Sequence, residues 1–333
     1  MNHRIAFAGL RHPHIFSLWD KAAAHPDCEI VAAAEPDAAM REQLRAEGKY
    51  AVTHESYDRL LEECDCSVVA IGDVYADRGS RAIAALKSGR HVILDKPICT
   101  SLEELGDIER LARASKLSVG CQLDLVEEPG VRALRSVIAS GAIGRVCTIT
   151  TLAQHPLRYG VRAGWYFEPG RHGGTINDIG IHLIDMAPWL TGSPWKETLL
   201  AREWNAKAIQ EPHFRDCAQF YGVLEDGTAC FTDVSYLAPD KAGYSLPQYW
   251  RLTVHGTKGI AETSYGKPGA AVTTDDDSAT RDVAAPAEAP RGYLQDFLDE
   301  IGGNPNPDGI TTARVILSAR NALQAQEHAA RSN

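Results

Sequence analysis

The groups best suited to proton transfer in this 333-residue chain lie on two short segments. In Gly173-Gly174-Thr175-Ile176-Asn177-Asp178-Ile179-Gly180-Ile181-His182-Leu183-Ile184-Asp185, the residues Asp178, His182 and Asp185 fall at i, i+4 and i+7, along one helical stripe. Ile179, Leu183, Ile184 and Met186 fill the other positions. The segment therefore reads either as a buried helix lining a site or as a capped surface helix with an ordinary Asp178/His182 pair. The second segment is Asp95-Lys96-Pro97, which follows the apolar run His91 to Leu94. Lys96 then sits at the carboxyl end of a strand, the edge at which open parallel sheets bind ligands; taken alone, it is equally a solvated loop lysine. Pro97 also allows a cis Lys96-Pro97 bond. Carboxylate, imidazole and ammonium groups are the set used in general acid–base work.

Alternating elements position these residues. Arg4 to Gly9, Glu29 to Ala34, Ala51-Val52, Ser67 to Ile71, His91 to Leu94 and Ser118 to Gln122 read as strands. They alternate with helices over His14 to Ala24, Ala38 to Glu47, Tyr57 to Glu63, Arg78 to Ser88 and Leu102 to Ser115. The pattern predicts a parallel α/β sheet of the dinucleotide-binding type over 1–122. Over 123–333 a helix at Val131 to Ser140 and the helix around Asp178 to Leu190 accompany a mostly antiparallel set of strands. These cover Arg145 to Ala153, Glu197 to Glu203, Asp216 to Leu224, Thr228 to Tyr236, Tyr249 to Gly256 and Gly259 to Ser264. Thr274 to Pro290 has no periodicity and is expected to be a surface excursion; Arg291 to Ile301 and Thr311 to Ala330 read as helices.

After the first strand comes Gly9-Leu10-Arg11-His12-Pro13-His14, which keeps only the first glycine of G-x-G-x-x-G. Arg11 and His14 stand at the other two glycine positions, so phosphate is excluded unless Arg11 swings aside and pairs with it. Glu35, 21 residues beyond His14, is either the ribose acceptor, favouring NAD over NADP, or a turn residue before Pro36. Arg11, His12 and His14 admit a further reading as contacts to substrate or metal. No metal is assigned, because histidines two apart converge on one ion only in strand geometry.

Composition narrows the class. Hydrophobic residues make up 44% and charged residues 23%, the balance of a packed globular protein. The net charge of −10 and a pI near 5.6 repel nucleic acid and anionic lipid. No apolar stretch is long enough to span a bilayer, and Met1 to Arg4 lead straight into a strand, so a cytoplasmic location is expected. The eight cysteines show no C-x-x-C pair and read as reduced core thiols.

Together these segments resemble the Gfo/Idh/MocA oxidoreductase family over nearly the whole chain. Its E-K-P motif appears as Asp95-Lys96-Pro97, and its G-G-x-x-x-D-x-G-x-H-x-x-D motif is complete from Gly173 to Asp185. Ser140 to Arg145 looks like the family's domain junction. The T-P-N-x-x-H motif is replaced by Gly72-Asp73-Val74-Tyr75-Ala76-Asp77. The resemblance implies a Rossmann-type domain followed by an α/β domain with a large open, mostly antiparallel sheet whose exposed face makes a homodimer or homotetramer. It implies hydride transfer between NAD(P) and a sugar, sugar acid or cyclic polyol. His182 would be the general base, Lys96 would stabilise the charge developing on the same oxygen, and Asp178 would orient substrate. A histidine suits that role because its ordinary pKa lies near working pH.

The expected cofactor contacts are Gly9, Arg11, His12, His14, Glu35, Gly72, Asp73, Asp95 and Lys96. Expected substrate contacts are Gln122, His155, Arg158, Trp165, Tyr166 and His172, with Asp124 and Arg162 beside them; each is equally able to be structural. Two other readings use the same residues: a redox-neutral isomerase, lyase or hydrolase on a keto-sugar, motivated by the altered loops, and a non-catalytic sugar-binding protein.

Overall fold

The computed structural model describes residues 2–331, which fall into two compact units. The first unit begins with β1 (His3–Leu10), α1 (His14–Ala24), β2 (Cys28–Ala34), α2 (Ala38–Glu47) and α3 (Tyr57–Glu63). It continues with β3 (Val68–Gly72), α4 (Tyr75–Lys87), β4 (His91–Asp95), α5 (Leu102–Ser115) and β5 (Val119–Gln122). Among the described residues its strands form a five-stranded parallel sheet in the order β2-β1-β3-β4-β5. All of β3 and nearly all of β1 is buried, as in a parallel sheet covered on both faces. Strand order reverses between β1 and β3, so residues 11–13 and 73–74 flank the switch point where such sheets take ligands.

Helix starts follow local chemistry. Asp37 accepts from the Met40 N–H at 2.8 Å and Ser101 from the Glu104 N–H at 3.2 Å, satisfying first-turn donors of α2 and α5. Ala51-Val52, expected as a strand, joins the sheet only through an isolated bridge between Ala34 and His54. Thr53, next in sequence, turns both its N–H and its hydroxyl onto the Ala33 carbonyl, which ends any ladder there.

The second unit holds α6 (Pro129–Ala139), β6 (Val146–Pro156), α7 (Ile181–Thr191), β7 (Trp195–Trp204), β8 (Cys217–Leu224) and β9 (Ala229–Ala238). Then follow β10 (Arg251–Gly256), β11 (Gly259–Thr263), β12 (Gly269–Thr274) and β13 (Arg281–Ala284). Among the described residues they form an eight-stranded sheet in the order β13-β12-β11-β10-β6-β9-β8-β7, antiparallel except between β6 and β9. The expected excursion Thr274 to Pro290 contains β13, paired to β12. Three of the four β13 residues are exposed, so this edge strand carries no hydrophobic alternation for the sequence to reveal.

The chain ends with α8 (Tyr293–Ile301) and α9 (Thr312–Arg331). Residues Arg291–Ala319 belong to the first unit, although a linear boundary after 122 places them in the second. Buried Phe297 on α8 and the Thr312 hydroxyl, which accepts from the Val119 N–H of β5 at 2.8 Å, fix that return. No helix among the described residues is long and apolar enough to cross a membrane.

Candidate active site

At the end of β1 the chain turns at Gly9, whose φ is +71°. The Leu10 N–H donates to Glu35 Oε2 at 2.6 Å, and the Asp37 N–H donates to Glu35 Oε1 at 2.8 Å. Arg11 and His12 both donate their N–H groups to the Gly72 carbonyl, at 3.3 and 3.1 Å. The backbone donors that a glycine turn would offer a diphosphate are thus engaged internally, and Pro13 has none. The cationic or protic groups that remain for an anion are the His14 N–H at the start of α1 and two side chains: Arg11, 3.4 Å from Asp37, and half-exposed His14. Glu35 is fully buried and burial raises its carboxyl, so it acts as a clasp on the turn. Asp37 is the accessible carboxylate at that edge.

Asp95, at the end of β4, is the hub of the first unit's polar cluster and has no exposed surface. Arg78 lies 2.8 Å away, His12 Nδ1 2.5 Å and His14 Nδ1 3.1 Å. Burial alone would raise the Asp95 carboxyl; Arg78 and the two imidazoles outweigh it and hold the group well below the usual carboxylate range. His12 is pushed down to about 3, chiefly by burial, against the pull of Asp95. It is therefore a neutral imidazole that donates from Nδ1 and accepts at Nε2 from the Tyr75 hydroxyl at 3.2 Å. Arg78 also donates to the carbonyls of Asp73, Asp95 and Lys96, at 2.8, 3.0 and 2.6 Å. That network fixes the backbone of buried Lys96, which precedes a cis Pro97. Asp73 is buried too, accepting from Arg81 at 3.3 Å, and buried Gln122 pairs with Asp95 in the β4/β5 ladder. His12, His14 and Asp95 could each offer one ligand atom within 4.8 Å of the others. Asp95 is already compensated by Arg78 and two imidazoles, so the cluster stands as a hydrogen-bonded hub.

In the second unit a single π-turn over Ile176–Gly180 runs into α7. Glu203 accepts from the Thr175 and Ile176 N–H groups at 2.6 and 3.1 Å, and from the Gln326 side chain at 2.5 Å. Gln326 Oε1 in turn accepts from Ile176 and Asn177. Gly174 has φ +96°, and a Cβ there would collide with Gln326 Oε1. Asp178, His182 and Asp185 are all buried, which decides between the two readings of the segment: it is an inner helix.

Asp178 Oδ2 accepts from the buried Tyr236 hydroxyl, and His172 Nε2 lies 3.2 Å from that hydroxyl and 3.4 Å from the carboxylate. Burial, reinforced by the Asp178 charge, pushes the Tyr236 phenol well above its ordinary value, so it remains a donor at any working pH. The Arg162 guanidinium lies over the rings of Tyr166 and Tyr236, at 4.6 and 4.9 Å. Trp165 and Tyr166 stack on each other at 4.1 Å, both buried. The His182 ring stands edge-on to Trp250 at 4.9 Å, and Trp250 meets His155 at 5.5 Å.

A family model described as an oxidoreductase family with an NAD-binding Rossmann fold matches residues 5–122, and one for the GFO/IDH/MocA C-terminal domain matches 131–262. The chain belongs to the Gfo/Idh/MocA family. Relatives of this family member include levoglucosan dehydrogenase from Pseudarthrobacter phenanthrenivorans, 28% identical over 57% of this chain and 48% of the relative. Another is 1,5-anhydro-D-fructose reductase from Ensifer adhaerens, 29% identical over 39% of each chain. The chain thus spans about half or less of the length of these curated relatives. In fold, a putative oxidoreductase from Erwinia carotovora atroseptica superposes with a TM-score of 0.87 at 22% identity, covering 98% of this chain and 99% of that one.

Within this Gfo/Idh/MocA chain, the expected residues fall into two groups. The first unit brings together His12, His14, Asp95 and the Lys96 backbone; the second brings together His172 and Asp178, and links His182 to His155 through Trp250. Four residues escape sequence reasoning: Arg78, Tyr75, Tyr236 and Trp250. Arg78 and Tyr75 share one face of α4 at i, i+3 with Gly79, Ala82 and Ala85, a usable signal once the helical period is applied. Tyr236 and Trp250 lie far from the motifs in sequence, where nothing local distinguishes them from core aromatics.

Proposed function

We propose that this family member is an NAD-dependent dehydrogenase or reductase acting on a hydroxyl or carbonyl of a sugar, sugar acid or cyclic polyol. The observation that carries this reading is the buried pairing of Asp178 with Tyr236 and His172 on the turn that leads directly to His182. A carboxylate held by a phenol that cannot ionise is a fixed acceptor for a substrate hydroxyl. His182, one turn on, takes the proton from the reacting hydroxyl, or returns it in reduction. Lys96 offers positive charge to the oxygen as it becomes negative. Nicotinamide, when bound, supplies the acceptor or donor of the hydride. The names of the levoglucosan and anhydrofructose relatives support a carbohydrate substrate.

Arg11 and His14 would hold the diphosphate by side chain, because the Leu10, Arg11 and His12 amides of the turn are already engaged. Asp37 would take the adenosine ribose, with Glu35 clasping the turn behind it. The Arg11 charge is already met by Asp37, and a 2′-phosphate would face that carboxylate, which favours NAD over NADP. A row of exposed and half-exposed residues crosses the large sheet, with Leu200 on β7 opposite Tyr221 on β8 and Tyr221 opposite Phe231 on β9. It supports self-association through that face.

The test is absorbance at 340 nm with NAD and a panel of sugars, sugar acids and inositols. Turnover is expected with at least one, and His182→Asn should lower kcat about 100-fold or more. No turnover across the panel, or an unimpaired His182→Asn variant, refutes the reading.

A further inference from the structure

Among the described residues, three non-glycine positions have a left-handed φ: Lys116, Arg158 and Trp250. Lys116 closes α5 as its C-cap. The other two have no such helix-ending role, and both stand on one continuous aromatic wall in the second unit. From His182 the ring contacts run to Trp250 at 4.9 Å, to His155 at 5.5 Å, to Tyr249 at 4.9 Å and to Tyr244 at 4.8 Å. The Arg158 guanidinium lies 5.2 Å from the centre of the Tyr244 ring. A bulky residue held at φ +50° persists only where its surroundings enforce it, and such outliers cluster at binding sites.

The Arg158 end of the wall carries an uncompensated charge. Its side chain is exposed and makes no hydrogen bond or ion pair with any described residue. The adjacent carboxylate, Asp240, is engaged elsewhere: it accepts from the Arg158 backbone N–H at 2.9 Å and lies 3.6 Å from Lys207. The wall therefore joins a buried imidazole at one end to an open guanidinium at the other, with aromatic rings between. Aromatic rings take the C–H faces of a sugar, and a guanidinium takes a carboxylate or phosphate through paired N–H donors.

We propose that this wall is the substrate platform and that the substrate is a carbohydrate bearing an anionic group, which Arg158 receives at the end of the wall away from His182. This rests on the proposed role of His182 and narrows the substrate class to acidic sugars. The experiment measures binding to the NAD-loaded protein by calorimetry, using D-glucuronate, D-galacturonate, D-gluconate and D-glucose 6-phosphate against D-glucose, D-galactose and sorbitol. At least one acidic ligand should bind tenfold or more tighter than its neutral counterpart, with an advantage that shrinks as salt rises. The carboxylate and phosphate arms distinguish the two anions. Arg158→Leu should abolish the acid-over-neutral preference and Arg158→Lys should keep part of it, each with an unchanged circular dichroism spectrum. Equal binding of acidic and neutral ligands, or a preference that survives in Arg158→Leu, overturns the proposal; if neutral sugars still turn over, the dehydrogenase reading stands without it. If no carbohydrate binds or turns over, both fall.

Discussion

Tyr236 and His12 show how single side chains set the chemistry on each unit. Tyr236 donates to Asp178 and packs beneath Arg162, so removing its hydroxyl leaves a buried carboxylate short of a donor. Tyr236→Phe is expected to lower kcat/KM roughly 10- to 100-fold and to reduce stability by about 1–3 kcal/mol, read by steady-state kinetics and urea denaturation. A variant with unchanged kinetics and stability would show that Asp178 does not depend on this donor. His12 makes a prediction in pH. Its folded pKa is about 3 against an ordinary 6.5, so between these values the unfolded chain binds the proton and the folded one does not. Stability therefore falls as pH drops through 6.5 toward 3, by about 2 kcal/mol from this group between pH 7 and 5. Denaturation of His12→Gln at those two pH values should show a shallower loss than the wild type; an equal loss would remove His12 as its source. The sequence shows His12 and His14 but not their shared anchor. Asp95 is legible as a motif residue, whereas its tie to Arg78, 17 positions away, is set by tertiary packing.

At the level of elements, periodicity identifies most strands and helices because long apolar patterns in β1, β3 and α5 coincide with burial on the sheet. It fails for β13, which is short, exposed and held by pairing alone. It also treats Asp178 to Leu190 as one regular helix. The π-turn over Ile176–Gly180 changes where Asp178 stands relative to α7, and its anchors, Glu203 and Gln326, come from β7 and α9, far off in sequence. Gly180 is part of this device: a Cβ there would approach Phe220 Cε1 to 2.8 Å. Gly180→Ala should cost about 1–3 kcal/mol by overpacking and lower kcat by shifting Asp178, read by thermal denaturation and initial rates. A variant as stable and active as the wild type would show that Phe220 yields freely and that the turn does not depend on this contact.

For the whole molecule, the two family matches place a Rossmann-type sheet and a C-terminal domain of known kind in order along the chain. The motifs at Lys96 and at Gly173 to Asp185 make the family legible in the amino-acid sequence itself. The cofactor turn is legible there only as a departure: the sequence shows which glycines are missing, and the structure shows that Glu35 and the Gly72 carbonyl engage the Leu10, Arg11 and His12 amides of the turn. With a net charge of −10, the long-range field offers a dinucleotide no help, so binding must come from local groups. The most direct test is equilibrium titration of NAD and NADP, by calorimetry, against the wild type and Arg11→Ala. NAD should bind at micromolar to sub-millimolar concentration, NADP at least tenfold more weakly, and Arg11→Ala should weaken NAD about tenfold. Failure of both dinucleotides to bind the wild type at millimolar concentration would contradict nicotinamide-dependent function.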